Sequence, residues 1–206
     1  MVIEEIKLND FEIVYRCNGF VPTNEQIISE YIENILNGKE TIDDSYHYPT
    51  NSKEHGQLDE ILNQGKNLCL TISNKDEKYK IISESWVNIF KSNNPKQPKL
   101  QLENYGEILF HNHLGKSSFS NRMWIPELTF IYYIQMPNNL TKNDGCLLIK
   151  DSYDNIHSIL PKENEFIIMS SHILHRPMTA YNSTKDRIAF VSNIKFELQK
   201  TEKTFL

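Results

Sequence analysis

Ile108-Leu109-Phe110-His111-Asn112-His113-Leu114 places two histidines two residues apart in an otherwise apolar, strand-like run. Side chains at i and i+2 of a strand share one face, so both imidazoles can converge on one point. Neutral imidazoles suit iron, zinc or copper more than magnesium or calcium. Two ligands hold an ion poorly, so a third is needed. His175 is the candidate, in Phe166-Ile-Ile-Met-Ser-Ser-His-Ile-Leu-His175-Arg-Pro, and Arg187 opens a further strand-like run, Arg187-Ile-Ala-Phe-Val-Ser-Asn193. His172 competes for the same role. His175 is preferred because a hairpin to Arg187 would bring it to the rim beside that residue.

Working outward, the second half of the chain reads as β. Ile81–Phe90, Leu128–Met136, Cys146–Lys150, Phe166–Met169 and Arg187–Leu198 are strand-like runs rich in β-branched and aromatic residues. The Asn-Asp-Gly ahead of Cys146 predicts a hairpin between Leu128–Met136 and Cys146–Lys150. Alternation puts Arg187, Ala189, Val191 and Asn193 on one strand face, so Asn193 is expected to face the pocket with Arg187. Tyr132 and Tyr133 must point to opposite faces, one into the pocket and one into the core. Lys91–Asn104 reads as an exposed loop. Gly115–Glu127 reads as a surface connection whose aromatics fold back, or as a lid over the site.

The first half is mixed. Phe11–Cys17 predicts a strand. Thr23 and Gln26 form a capping box ahead of apolar residues at helical spacing up to Gly38. The segment through Tyr46-His-Tyr-Pro-Thr50 reads as irregular, and a weaker helix is expected around Leu58–Leu68. His47 and His55 are read as loop histidines without a metal role. The whole chain, 1–206, is expected to be one mainly β domain. About 1–80 would form a helical and strand support, and about 81–198 a jelly-roll core, a double-sheet fold backed by helices.

Composition narrows the function classes. A net charge of −5 argues against a general nucleic-acid or anionic-membrane binder. The longest apolar runs are strand-length, far short of the roughly 20 residues of a membrane helix. The opening Met-Val-Ile-Glu-Glu-Ile lacks the basic start and apolar core of a signal peptide, which places the expected location in the cytoplasm. Cys17, Cys69 and Cys146 are odd in number and widely spaced, and read as buried free thiols.

The order His111-Asn-His113, Phe130-Ile-Tyr132-Tyr133-Ile, Asp144-Gly145-Cys-Leu-Leu-Ile, His175 and Arg187-Ile-Ala-Phe resembles the 2-oxoglutarate- and iron(II)-dependent dioxygenases. The prolyl-hydroxylase-like branch is the nearest match. One departure matters: His113 stands where that family has Asp or Glu. A subgroup seen in marine bacteria and phages looks similar in carrying His-x-His there, with Trp-Val-Asn upstream as in Trp86-Val87-Asn88. The resemblance spans about Ser85 to Phe196 and implies a double-stranded β-helix. It also implies that His111, His113 and His175 ligate iron(II), that dioxygen is consumed, and that 2-oxoglutarate is the co-substrate. The co-substrate's far carboxylate would be held by Arg187, with Tyr133 as a further donor. The implied reaction converts 2-oxoglutarate to succinate and carbon dioxide and hydroxylates a second substrate, a protein side chain such as proline being preferred over a small molecule. Because three imidazoles carry no charge, a zinc or other metal-binding jelly roll without oxygenase activity is the competing expectation. In a further alternative, His111 or His113 stands behind the ligands, with Asp151 or His157 drawn in.

Overall fold

The computed structural model describes residues 2–18, 45–48, 56–90, 110–114, 125–141, 144–178, 180 and 183–199. Ten strands and one helix lie among them. In chain order they are β1 (Ile3–Lys7), β2 (Ile13–Asn18), β3 (Ser45–Tyr48), α1 (Gly56–Ile72), β4 (Tyr79–Phe90), β5 (Leu128–Gln135), β6 (Leu147–Lys150), β7 (Ile156–Ile159), β8 (Glu165–Ser170), β9 (Leu174–Pro177) and β10 (Arg187–Leu198). Seven strands form one sheet in the order β1-β2-β8-β5-β10-β4-β3, and three form another, β7-β6-β9. Every pairing is antiparallel. The chain is therefore mainly β, with two sheets facing each other as a jelly roll.

Strict alternation along the central strands gives the large sheet two apolar faces. Phe130, Tyr132 and Ile134 of β5, with Ile188, Phe190 and Ile194 of β10, point outward to α1. Leu58, Ile61, Leu62, Leu68 and Cys69 recur at helical spacing and meet them. Gly65 sits at the closest approach, where a Cβ would come within 2.5 Å of the Phe130 ring. The helix ends in a Schellman turn, in which Asn74 (φ 50°) bonds back to Thr71 O and Lys75 N to Leu70 O. The inner face carries Ile131, Tyr133, Ala189, Val191, Ile167 and Met169, packed against Leu147, Ile149 and Ile159 of the small sheet. That space between the sheets is where the candidate site lies. Among the described residues no helix is long and apolar enough to cross a membrane.

Four sequence expectations are corrected. Leu128–Met136 and Cys146–Lys150 do not pair as a hairpin but lie in opposite sheets. β5 already has β8 and β10 on its two sides, so it has no free edge for β6. The Asn-Asp-Gly chemistry acts only locally, closing the Thr141–Asp144 bridge with Gly145 at φ 76°. Ser45–Tyr48, expected to be irregular, adds a strand to the edge of β4, where backbone bonds outweigh a polar sequence. His175 and Arg187 are not hairpin neighbours either: β9 pairs with β6 in the small sheet and β10 with β4 and β5 in the large one. Finally, His111 forms an isolated bridge with His175, and the described residues 110–114 contain no full strand. The helix read over Thr23–Gly38 and the loop Lys91–Asn104 lie outside the described residues, as does most of Gly115–Glu127.

Candidate metal centre

The histidines are brought together by backbone pairing across two distant segments. His111 N–H donates to His175 O at 3.1 Å and His175 N–H to His111 O at 2.9 Å, which sets the two side chains across from each other. His113 is anchored by its own N–H on Ser171 O at 2.9 Å. One ligand nitrogen from each ring lies within 4.8 Å of the other two. The Nε2 atoms of His113 and His175 are 3.2 Å apart with ring planes 2° from parallel. Two nitrogens each about 2.1 Å from one ion and roughly 100° apart would have that spacing, so the pair fits a transition metal. His111, exposed at the rim, needs only a modest approach to complete the face.

Protonation suits ligation. Burial first, then the neighbouring imidazoles, hold His113 down to about 3, and burial with His111 holds His175 down to about 4. His111 is lowered by burial and by the Arg176 charge. All three are therefore neutral at pH 7, the form that binds metal. The Nδ1 of His175 lies 3.1 Å from Ile173 O. Its proton belongs there, since a carbonyl only accepts, and Nε2 is left as the lone pair facing the cluster.

Arg187 lies farther along the same inner face, at the start of β10. It is 2% exposed, stacks its guanidinium 4.1 Å above the Phe90 ring, and donates from Nη1 to Met178 O at 2.9 Å. Burial draws it down to about 10, which leaves it charged at pH 7. Among the described residues its buried Nη2 has no hydrogen-bond partner and no carboxylate pairs with it. A buried charge with an idle donor is costly unless an anion completes it. Tyr133 packs on this face within the electrostatic reach of Arg187, its hydroxyl raised by burial, while Tyr132 points to the α1 side and donates to Asn164 Oδ1 at 2.8 Å.

The structure thus brings His111, His113 and His175 together and puts Arg187 and Tyr133 along one floor. Asn193 shares that face, and its side-chain Oδ1 accepts from Thr129 Oγ1 at 2.8 Å. His172 is turned away, exposed and bonded to Ser170 Oγ at 2.7 Å. Asp151 accepts from Tyr153 N, Asn155 N and His157 Nε2, all at 2.9 Å, and its loop is closed on itself. Neither it nor His157 joins the cluster among the described residues. Sequence reading passed over Thr129, Ser171 and Phe90, which meet their partners only across strands. Thr129 alone left a signal, a polar residue at an inner-face position between apolar ones.

No family model matches the sequence, and no curated protein matches it. The fold does match solved structures. A viral collagen prolyl hydroxylase from Paramecium Bursaria Chlorella virus-1, in complex with 2-oxoglutarate, aligns at TM-score 0.58 and 13% identity over 91% of this chain and 98% of its own. A Pseudomonas putida prolyl-4-hydroxylase aligns at 0.57 and 11%, over 91% and 93%. A Trichoplax adhaerens prolyl hydroxylase, in complex with a hypoxia inducible factor peptide fragment, aligns at 0.59 and 11%, over 88% and 82%. HygX from Streptomyces hygroscopicus, with nickel and 2-oxoglutarate bound, aligns at 0.55 and 7%, over 87% and 82%. At these identities the likeness is one of fold.

Proposed function

We propose that this chain is a non-haem iron(II) oxygenase that couples decarboxylation of 2-oxoglutarate to hydroxylation of a second substrate. The observation that carries the reading is Arg187: a buried guanidinium with an unpartnered Nη2, on the inner face it shares with Ala189, Val191 and Asn193 beneath three converging imidazoles. A dicarboxylate that bound a metal held by the imidazoles and reached Arg187 would answer both the ion's charge and the idle donor.

His111, His113 and His175 would hold the metal on one face. Iron(II), when bound there, supplies the activation of dioxygen. The three neutral imidazoles leave the ion's full charge at the site, and a dianionic co-substrate offsets it. Arg187 would orient the far carboxylate, with Phe90 packed 4.1 Å from its guanidinium to hold it in place and Tyr133 lining the same end. Ala189 and Val191 between them exclude water from the floor. A protein side chain is the preferred substrate class, supported by the fold shared with prolyl hydroxylases, one of them in complex with a peptide fragment.

A second reading, a zinc or other metal-binding jelly roll without oxygenase activity, is favoured by one observation: among the described residues the cluster contains no carboxylate. Anaerobic titration of the iron(II)-loaded protein with 2-oxoglutarate separates the two. The oxygenase reading expects the weak visible charge-transfer band of a chelated keto acid, lost in Arg187→Ala at the same concentration. Bound iron with no band would leave the metal-binding reading.

A further inference from the structure

We infer that Trp86 is a positioning residue for His113: its indole sets the plane in which that imidazole meets His175. The inference rests on the metal-centre reading above and concerns how one ligand is held before any ion arrives.

The backbone of His113 is anchored by its N–H on Ser171 O at 2.9 Å. That bond places the Cα atom but leaves both side-chain torsions open, and the torsion about the bond to the ring is a broad one in histidine. A ligand nitrogen must nevertheless point at the ion, and a ring that is free to turn loses affinity because binding has to order it.

Trp86 supplies the missing restraint. Its indole stacks on the His113 ring with centroids 5.4 Å apart and planes 21° from parallel. The separation is inside the roughly 4.5–7 Å of favourable aromatic pairs. The His113 ring in turn lies 2° from the plane of His175 at 5.0 Å, with the two Nε2 atoms 3.2 Å apart. The three planes therefore run nearly together, and turning the His113 ring would break both alignments. His111 is held differently, its ring tilted by 51° to His113 and 53° to His175.

The indole can act as a wall because the sheet holds it. Trp86 lies inside β4, whose backbone pairs with β10 at Val191 on one side and with β3 at His47 on the other. Directly opposite residues of paired strands share a face, so Trp86 stands on the inner face with Val191, and it packs against that core. The restraint on His113 thus comes from the large sheet, whereas His175 belongs to the small one. An apolar ring against a ligand also limits the access of water to it.

The test is a cobalt(II) titration of the purified chain, read from the visible bands of the bound ion, with thermal unfolding of each metal-free variant alongside. Trp86→Leu removes the flat face and should weaken cobalt binding about 2–10-fold, the worth of one aromatic pair, and shift the bands. Trp86→Phe, which keeps a flat ring, should restore most of the affinity and the wild-type bands. In a His113→Ala background Trp86→Leu should cost nothing further, since it acts through that ring. A lower melting temperature in Trp86→Leu with wild-type affinity and bands would overturn the inference and leave Trp86 a packing residue. An equal loss in the His113→Ala background would overturn it too. If Trp86→Leu does not fold, Trp86→Met fills more of the space without a ring and decides in the same way. A wild-type chain that binds no cobalt would bring down the metal centre itself, a different outcome from a bound ion indifferent to Trp86.

Discussion

His113 and His175 face each other through their Nε2 atoms at 3.2 Å, the first from the segment that follows β4 and the second from the small sheet. Metal bound between them adds to the His111–His175 bridge and the His113 N–H bond to Ser171 O that already join the two segments, so a metal should stabilise the native state by mass action. At a free concentration about 100 times the dissociation constant the gain is about 2.7 kcal/mol, or roughly 5–10 °C for a chain of this size. Differential scanning with nickel or cobalt should show the rise, chelator should reverse it, and His175→Ala should abolish it. An equal rise in His175→Ala would place the metal elsewhere.

Without metal the same pair predicts acid sensitivity. Both imidazoles are held in the native state at about 3 and about 4, below the ordinary 6.5, mainly by burial. As pH falls below about 6.5 the unfolded chain takes up protons that the native one refuses. Stability is therefore full above that pH and declines towards pH 4. Melting of the metal-free protein between pH 7.5 and 4.5 should fall more steeply than that of the His113→Gln/His175→Gln double variant. Parallel curves would contradict it.

Arg187→Met should separate stability from binding. An apolar chain of similar volume relieves a buried charge with an idle donor, so the ligand-free variant is expected to resist urea at least as well as wild type. It should lose the thermal shift with 2-oxoglutarate. Arg187→Lys keeps the charge but not the fork and should bind the keto acid more weakly than wild type. A variant that loses stability yet keeps the shift would mean the guanidinium is structural.

The two adjacent tyrosines should behave as residues on opposite faces. Tyr132→Phe removes the bond to Asn164, a residue at φ 61°, and should cost about 0.5–1.5 kcal/mol of stability with keto-acid affinity intact. Tyr133→Phe should alter that affinity. Urea unfolding and 2-oxoglutarate titration of both variants would expose a reversal.

Gly65→Ala should destabilise by about 1–3 kcal/mol, because the new methyl meets the Phe130 ring across the helix–sheet contact. Adding Phe130→Leu should recover part of the loss. Strict additivity of the two changes in urea would deny the contact.

The sequence by itself determined the local features: which residues alternate along Arg187–Leu198, that Tyr132 and Tyr133 diverge, and that Leu58–Leu68 is helical. Each follows from a period of two or 3.6 residues, and burial of one face enforces it. Partner choice is different, because the same apolar strand can pair with any free edge. Only the tertiary structure decided that Cys146–Lys150 crosses to the small sheet, that His175 sits on a four-residue strand there, and that Asn193 Oδ1 accepts from Thr129 across the sheet. The turn residues before Gly145 govern a few dihedral angles, whereas the sheet a strand joins depends on edges already occupied by β8 and β10. The idle nitrogen of Arg187 was equally out of reach of the sequence, since an unfilled hydrogen bond exists only once every neighbour is in place.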